Sequence, residues 1–128
     1  IIVGKKDEPV ILDNFTNIDK KNLNLVGKTN LAEIYLIMKE CNLFIGNDSG
    51  LMHLAAASGI PTVGLFGPSD FKRYGPWGEK TISILSQNTP EDLMGKTNFE
   101  PKNSGTLMRS LSVEKVFKET VNFYQSLK

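Results

Sequence analysis

One stretch in the middle of the chain limits the possible folds more than any other. A short apolar run over 43–46 leads into residues 51–58, which are apolar on almost every side and include three alanines. A second apolar run follows over 62–66. Between them, Gly59 suits a left-handed helix C-cap and Pro61 prevents the helix from continuing. Two buried strands joined by a buried helix predict a right-handed, parallel βαβ unit.

Helical periodicity is clearest just after residue 30. Asn30 as the N-cap places Glu33 at position N3, which is the arrangement of a capping box, and Thr29 is the alternative cap. Apolar residues at i, i+3, i+4 and i+7 predict one buried stripe. Its members are Leu31, Ile34, Tyr35 and Met38.

Strands and helices alternate along the rest of the chain. This order predicts an α/β fold, a Rossmann-like parallel sheet with helices on both faces that binds ligands beyond the carboxyl ends of its strands. The inner stripe of the last helix is predicted to be Val113, Val116, Phe117, Val121 and Tyr124. The remaining predictions are strands over 1–3, 23–26 and 81–85, helices near 10–15 and 112–127, and irregular segments over 67–80 and 86–106.

Composition excludes several classes of protein. The 128 residues suit one domain, and 15 basic against 14 acidic residues give a net charge of +1, so we expect no nucleic-acid partner. A single cysteine excludes an intrachain disulfide and fits a reducing compartment. No apolar run approaches the ~20 residues that a membrane-spanning helix requires.

Two Gly-Lys-Thr tripeptides, at 27–29 and 95–97, resemble the end of a phosphate-binding P-loop. That motif needs a glycine five positions before its second glycine, so that backbone amides can surround the phosphates. Asn22 and Pro90 occupy those positions. Both matches therefore fail, and both segments are predicted to be turns.

Ser49 and His53 lie one helical turn apart, with Asp48 beside them, so a serine hydrolase has to be considered. A nucleophile elbow requires glycines two residues before and two residues after the serine. Asn47 and Leu51 stand there instead, which argues against a hydrolase.

The same residues suit an anion-binding site better. A strand that runs directly into a helix leaves the first backbone amides of the helix unpaired, at the positive end of its dipole. Gly50 would let a ligand approach the backbone, and Ser49 and His53 would add hydrogen-bond donors. Asp48 would cap the helix or hold a sugar hydroxyl. The alternative is an N-capped core helix with no ligand. Because the sequence lacks an Asp-x-Asp pair, we expect no metal at this site.

Residues 46–70 resemble the signature of glycosyltransferase family 9, the ADP-heptose:lipopolysaccharide heptosyltransferases. The shared pattern is Asp-Ser-Gly, then His-Leu-Ala-Ala-Ala, then a strand that ends in Phe-Gly-Pro-Ser. Residues 27–33 resemble the family's Gly-x-Thr-x-Leu-x-Glu helix start, and residues 107–116 resemble the entry to its last helix.

The resemblance implies a GT-B enzyme of two Rossmann-like domains, of which residues 1–128 would be the donor-binding C-terminal half, shortened at its N-terminus. The acceptor-binding half and its general base would be absent, so we expect no catalytic residue in this chain and no turnover by it alone. Asp48, Ser49, Gly50 and His53 would bind the diphosphate and sugar of the donor. Glu33 would lie near the nucleoside, unless it serves only as the capping-box partner, and Gly67, Pro68 and Ser69 would form a nearby wall.

The implied reaction transfers a sugar, expected to be the heptose of ADP-heptose, to a lipopolysaccharide core or related glycolipid, with inversion and without metal or cofactor. Its expected location is the cytoplasm, with at most peripheral contact with the inner face of the inner membrane. Three alternatives stay open: another GT-B transferase, a UDP-sugar epimerase, and a non-catalytic nucleotide-binding module.

Overall fold

Three parallel strands form the central sheet. Strands β1 (Phe44–Asn47), β2 (Thr62–Phe66) and β3 (Thr81–Leu85) lie in the order β1-β2-β3. Both pairings are parallel. The predicted positions of β2 and β3 are confirmed, and β1 begins and ends one residue later than predicted.

Two compact units, Ile1–Glu40 and Cys41–Lys128, make up the chain. The first unit contains helix α1 (Leu31–Lys39). The second contains the sheet and helices α2 (Gly50–Ser58), α3 (Phe71–Tyr74) and α4 (Val113–Ser126). The computed structural model describes residues 1–6, 22–67, 69–87, 108 and 110–128.

Helix α1 begins with the predicted capping box. The Glu33 amide donates to Asn30 Oδ1 at 3.0 Å, and the Asn30 amide donates to Glu33 Oε2 at 2.8 Å. Ile34 and Met38 of the predicted stripe are buried, but Leu31 is 67% exposed. The stripe is therefore narrower than predicted.

The two strands predicted in the first unit are reduced to one parallel bridge, between Ile2 and Asn24. The Ile2 amide donates to Leu23 O at 2.8 Å, and the Leu25 amide donates to Ile2 O at 2.9 Å. Ile1 is 59% exposed, so the prediction of a buried strand over 1–3 was wrong. A short apolar run indicates a strand, but whether that strand is buried depends on the elements that pack against it.

Helices lie on both faces of the sheet, as the α/β prediction requires. On one face, Met52 of α2 approaches Gly64 of β2, and a methyl group built on Gly64 would lie 2.5 Å from Met52 Sδ. On the other face, Phe123 of α4 packs with Val63 and Ile84 in a buried cluster. The fold is therefore a three-layer α/β sandwich in this unit.

Helix α4 faces the sheet with a side rotated from the one predicted. Val116 of the predicted stripe packs against the buried cluster, and Val121 and Tyr124 are half-buried. Thr120 and Phe123 are its buried residues, whereas Val113 and Phe117 are 83% and 70% exposed. The prediction selected the side with the most apolar residues, but the sheet accommodates the side that carries Phe123. Thr120 lies at the centre of that side, and because threonine is polar, a count of apolar residues did not select the side.

We expect Thr120→Val to raise the free energy of unfolding by about 1 kcal/mol, because Thr120 Oγ1 is buried without a hydrogen-bond partner among the described residues. Valine keeps the shape of threonine and removes the unsatisfied hydroxyl. Urea denaturation would measure the change, and Thr120→Ser, which keeps the hydroxyl and loses the methyl group, should lower stability. A lower midpoint for the valine variant would show that the hydroxyl has a partner.

Helix α2 ends as predicted, since Gly59 forms a left-handed C-cap with φ of 84°. Its burial differs from the prediction, because only one side, with Met52 and Ala55, is fully buried. Strand β1 is also half-exposed, with Ile45 at 47%. The alanines of α2 and the apolar run of β1 had predicted that both elements would be buried on every side. Strand β1 instead lies at the edge of the described sheet.

The segment from 67 to 80 is less irregular than predicted, because it contains the single-turn helix α3. Asp70 Oδ1 accepts from the Lys72 amide at 3.0 Å and caps that turn. The helix predicted near 10–15 and most of the irregular segment predicted over 86–106 lie outside the described residues. Within the described ranges, no helix is long and apolar enough to cross a bilayer.

Candidate functional site

Strand β1 passes directly into helix α2 at the carboxyl edge of the sheet. The Asp48 amide donates to Leu65 O at 3.2 Å and so continues the pairing with β2 for one residue. Ser49 then adopts an extended conformation, with φ of −159° and ψ of 167°, and is the N-cap of α2. The amides of Met52 and His53 donate to Ser49 O at 3.1 and 3.4 Å. The helix therefore begins at the end of a paired strand.

The first turn of α2 is open to a ligand. Ser49 and Gly50 are exposed, and a methyl group built on Gly50 would meet no atom within 4 Å. The Ser49 side chain makes no capping hydrogen bond, so its hydroxyl remains available. The positive end of the helix dipole consequently points into accessible space, with the Gly50 and Leu51 amides free of intrahelical partners.

Asp48 does not cap α2, contrary to one of its two predicted roles, because Ser49 occupies the N-cap position. Asp48 is half-buried just after the end of β1. The other predicted role, contact with a sugar hydroxyl, stays a prediction.

His53 lies in the first turn of α2 and is exposed. Its backbone amide reaches back to Ser49 O, which places both residues on the same side of the first turn. No hydrogen bond joins the Ser49 and His53 side chains, so the two do not form a nucleophile and base. The arrangement instead puts a hydroxyl and an imidazole beside the unpaired amides.

Gly67 and Ser69 lie at the carboxyl end of β2, where both are half-buried. Because β1 and β2 are adjacent, these residues are on the same edge as Ser49, and neighbouring strands are about 5 Å apart. Pro68, the third predicted member of this wall, lies outside the described residues. Gly67 and Ser69 are thus brought to the site's edge of the sheet.

Glu33 belongs to the Ile1–Glu40 unit, separate from the unit that carries α2. Its Oε2 accepts from the Asn30 amide, so the structural role predicted for it is confirmed. The predicted role near a nucleoside stays a prediction.

Lys115 is a residue at this edge that the predicted inner stripe of the last helix did not include. Its Nζ donates to Leu85 O, at the end of β3, at 2.7 Å and lies 3.8 Å from Glu119 Oε1. The sequence did contain a signal for this position. A helix that follows a strand in a parallel sheet starts at the carboxyl edge, and Lys115 is only three residues after the N-cap Ser112. The edge therefore has a cation above β3 as well as the open end of α2. Among the described residues, no cluster of three or more His, Cys, Asp or Glu side chains is arranged for a metal ion.

Comparison with known proteins identifies the family of the chain. The model of the family described as "Glycosyltransferase family 9 (heptosyltransferase)" matches residues 1–103. The chain is 29% identical over 127 residues to the lipooligosaccharide heptosyltransferase 2 of Campylobacter jejuni, which covers 96% of the chain and 39% of that relative. It is 48% identical over 46 residues to the lipopolysaccharide heptosyltransferase 2 of Escherichia coli K12, covering 36% of the chain and 13% of the relative.

A solved structure shares the fold. The glycosyl transferase family 9 protein from Veillonella parvula superimposes with a TM-score of 0.69 at 25% sequence identity, and the match covers 97% of this chain and 36% of that one. The Campylobacter and Veillonella proteins match almost the whole of this chain. The chain spans less than two fifths of the length of either one.

Proposed function

The chain belongs to glycosyltransferase family 9, and from that premise we propose that it is the donor-binding half of an enzyme that transfers a sugar from a nucleoside-diphosphate sugar to a glycolipid. The observation that carries this proposal is the open first turn of α2 at the carboxyl edge of the sheet. A ligand with a diphosphate is the chemistry that such a helix end accommodates best.

The diphosphate would be held by the backbone and by two side chains. The Gly50 and Leu51 amides would donate to its oxygens, and the absence of a side chain on Gly50 leaves room for close approach. Ser49 Oγ and the His53 imidazole, both exposed on the same turn, would add donors. The backbone amides are held in place by the helix before the ligand arrives, so they can stabilise charge without reorganising.

The sugar and nucleoside would extend to either side of the diphosphate. We assign Asp48 to a hydroxyl of the sugar, because a carboxylate beside phosphate oxygens would repel them. Gly67, Pro68 and Ser69 would form the neighbouring wall. Glu33 keeps one carboxylate oxygen outside its capping bond, and that oxygen is our candidate acceptor for a ribose hydroxyl.

The proposed reaction is a single displacement. A base in the acceptor-binding half, outside this chain, takes the proton of the acceptor hydroxyl, and the resulting oxygen attacks the anomeric carbon opposite the diphosphate. The bond from that carbon to the diphosphate oxygen breaks, and the diphosphate leaves with the electron pair, so the configuration inverts. Its developing charge is stabilised at the end of α2, which makes the proposed step independent of a metal.

The names of the relatives lead us to propose heptose as the sugar and a lipopolysaccharide core or related glycolipid as the acceptor. ADP is our proposed nucleotide, because the resemblance described in the sequence analysis implies ADP-heptose as the donor. Such a reaction would take place in the cytoplasm, with at most peripheral contact with the inner face of the inner membrane.

Isothermal titration of the chain with ADP, UDP and GDP tests this proposal. We expect ADP to bind most tightly. A preference for UDP would favour another GT-B enzyme or an epimerase, and the absence of binding by all three nucleotides would leave α2 a structural helix without a ligand.

His53→Ala is the variant that tests the site within the same titration. Loss of one donor to a charged phosphate should weaken ADP binding about tenfold, and the circular dichroism spectrum should not change because His53 is exposed. Asn122→Ala, at an exposed position of α4 on the other face of the sheet, is the control and should bind like the unchanged chain. Equal affinities for the two variants would exclude His53 from the site.

A further inference from the structure

Helix α3 and the turn after it expose three aromatic side chains close together in the sequence. Phe71 is 38% exposed, Tyr74 is 44% exposed, and Trp77 is 90% exposed. Between them lie two exposed basic residues. We call this group the α3 patch; it consists of Phe71, Lys72, Arg73, Tyr74 and Trp77.

The backbone that carries the α3 patch is anchored to the sheet. A methyl group built on Gly75 would lie 3.3 Å from Ser83 Oγ in β3, and one built on Gly64 would lie 3.4 Å from Pro76 Cδ. Thr81 Oγ1 lies 3.1 Å from Pro76 O and 2.9 Å from Gly78 O, within donating distance of both. The exposed rings are therefore held on a fixed support.

The α3 patch lies on the α2 side of the sheet. Pro76 and Met52 of α2 both approach Gly64 from the same face. Phe123 of α4 packs on the opposite face, against Val63 and Ile84. Lysines on α4 therefore lie on the other face of the sheet, and substitutions of these lysines can serve as controls for substitutions of the basic residues in the α3 patch.

The charges of the α3 patch favour an anionic partner. Asp70 accepts a hydrogen bond from the Lys72 amide as the cap of α3 and keeps its negative charge. Beyond Trp77, the exposed Glu79 and Lys80 carry opposite charges, so residues 70–80 have a net positive charge. Arg73 lies over the Tyr74 ring, with its guanidinium carbon 5.2 Å from the ring centre. The patch thus combines two exposed cations with aromatic rings that have an apolar body.

We propose that the α3 patch contacts the surface of an anionic lipid bilayer. The inference rests on the proposed function in one respect, since a glycolipid acceptor is itself part of a membrane. Tryptophan and tyrosine rings suit the headgroup region, and basic side chains bury their stems while the charges stay among the headgroups. Aromatic residues and arginine are also enriched at protein–protein interfaces, and Lys72 is the one member of the patch of a type depleted there. The choice of a bilayer therefore rests on Lys72 and on the membrane location of the proposed acceptor.

The chain has one tryptophan, so its fluorescence reports directly on the α3 patch. Titration with vesicles of phosphatidylglycerol and phosphatidylcholine should move the Trp77 emission to shorter wavelength, and brominated lipids should quench it. Vesicles of phosphatidylcholine alone should bind much more weakly. The double variant Lys72→Gln/Arg73→Gln should lower the partition coefficient about 25-fold, because each basic residue at an anionic surface contributes roughly a fivefold factor.

Lys118→Gln/Lys128→Gln removes the same charge on and just after α4 and should leave the partition coefficient within about twofold. Equal losses for the two double variants would overturn the proposal, because they would show attraction by net charge alone. An emission shift that depends on protein concentration without lipid would also overturn it, because a second copy would then cover the patch. Titration with ADP separates the two proposals: ADP binding without vesicle binding rejects the α3 patch alone, and vesicle binding without nucleotide binding rejects only the donor site.

Discussion

Ser49→Asp is expected to weaken ADP binding by at least about a hundredfold while making helix α2 more stable. The aspartate carboxylate would lie at the N-cap, where the unchanged Ser49 side chain makes no capping bond. A carboxylate there interacts favourably with the helix dipole and caps the first amides, which contributes about 0.5–1 kcal/mol. The same charge would repel a diphosphate and occupy the amides that the diphosphate needs, and such like-charge contact costs several kcal/mol.

Opposite changes in stability and binding distinguish a ligand site from a structural cap, so both are measured on the same variant, by urea denaturation and by calorimetry. Ser112→Asp is the matched control at the N-cap of α4. Ser112 Oγ already accepts from the Lys115 amide at 3.2 Å, so the aspartate should preserve the cap. It adds the same charge at the carboxyl edge above β3, two strands away from β1, and should change ADP affinity less than about threefold. If Ser49→Asp binds ADP as the unchanged chain does, the donor does not use the end of α2.

Gly64→Ala is expected to lower the free energy of unfolding by about 3 kcal/mol, at the upper end of the range for an added core methyl group. Gly64 is buried in the central strand, and its new methyl group would lie 2.5 Å from Met52 Sδ and 2.8 Å from Phe66 Cε2. Met52 and Phe66 are fully buried, which leaves them little room to move. Because a domain of this size has only about 5–15 kcal/mol of stability, the loss should be visible as a large shift of the urea midpoint.

Two further variants establish the cause of that loss. Gly50→Ala also adds one methyl group, but into open space, and should not lower the urea midpoint. Met52→Val removes the sulfur atom that the new methyl group meets, so the double variant with Gly64→Ala should be more stable than the sum of the single effects predicts, by at least about 1 kcal/mol. Additive losses would show that the clash with Met52 is not the source of the destabilisation.

The positions that sequence analysis predicted correctly are those with local signals. The capping box of Asn30 and Glu33 involves residues three apart, and Gly59 supplies the positive φ that ends α2. The strand–helix junction at Ser49 was predicted for the same reason, because an apolar run followed by turn residues and a helix leaves few other conformations. Such features depend on neighbours along the chain, and the sequence displays those neighbours directly.

The incorrect predictions concern which surfaces meet. Phe117 was assigned to the core and is exposed, whereas Thr120 was omitted and is buried. Lys115 was left out of the inner stripe of α4, yet its Nζ donates to Leu85 O at the end of β3. Asp48 was considered as a cap, yet Ser49 holds that position. In each case, two arrangements agreed equally well with the local pattern.

The amino-acid sequence by itself determined the order of strands and helices, the Gly59 cap at the C-terminal end of α2, and the parallel α/β class, because these follow from backbone geometry and hydrophobic period over a few residues. Only the tertiary structure decided that α4 buries the side with Phe123, that β1 leaves Ile45 half-exposed, and that the first turn of α2 opens to solvent. The physical reason is that burial and access are properties of pairs of surfaces, and the shape of the facing surface is formed by residues far away in the chain.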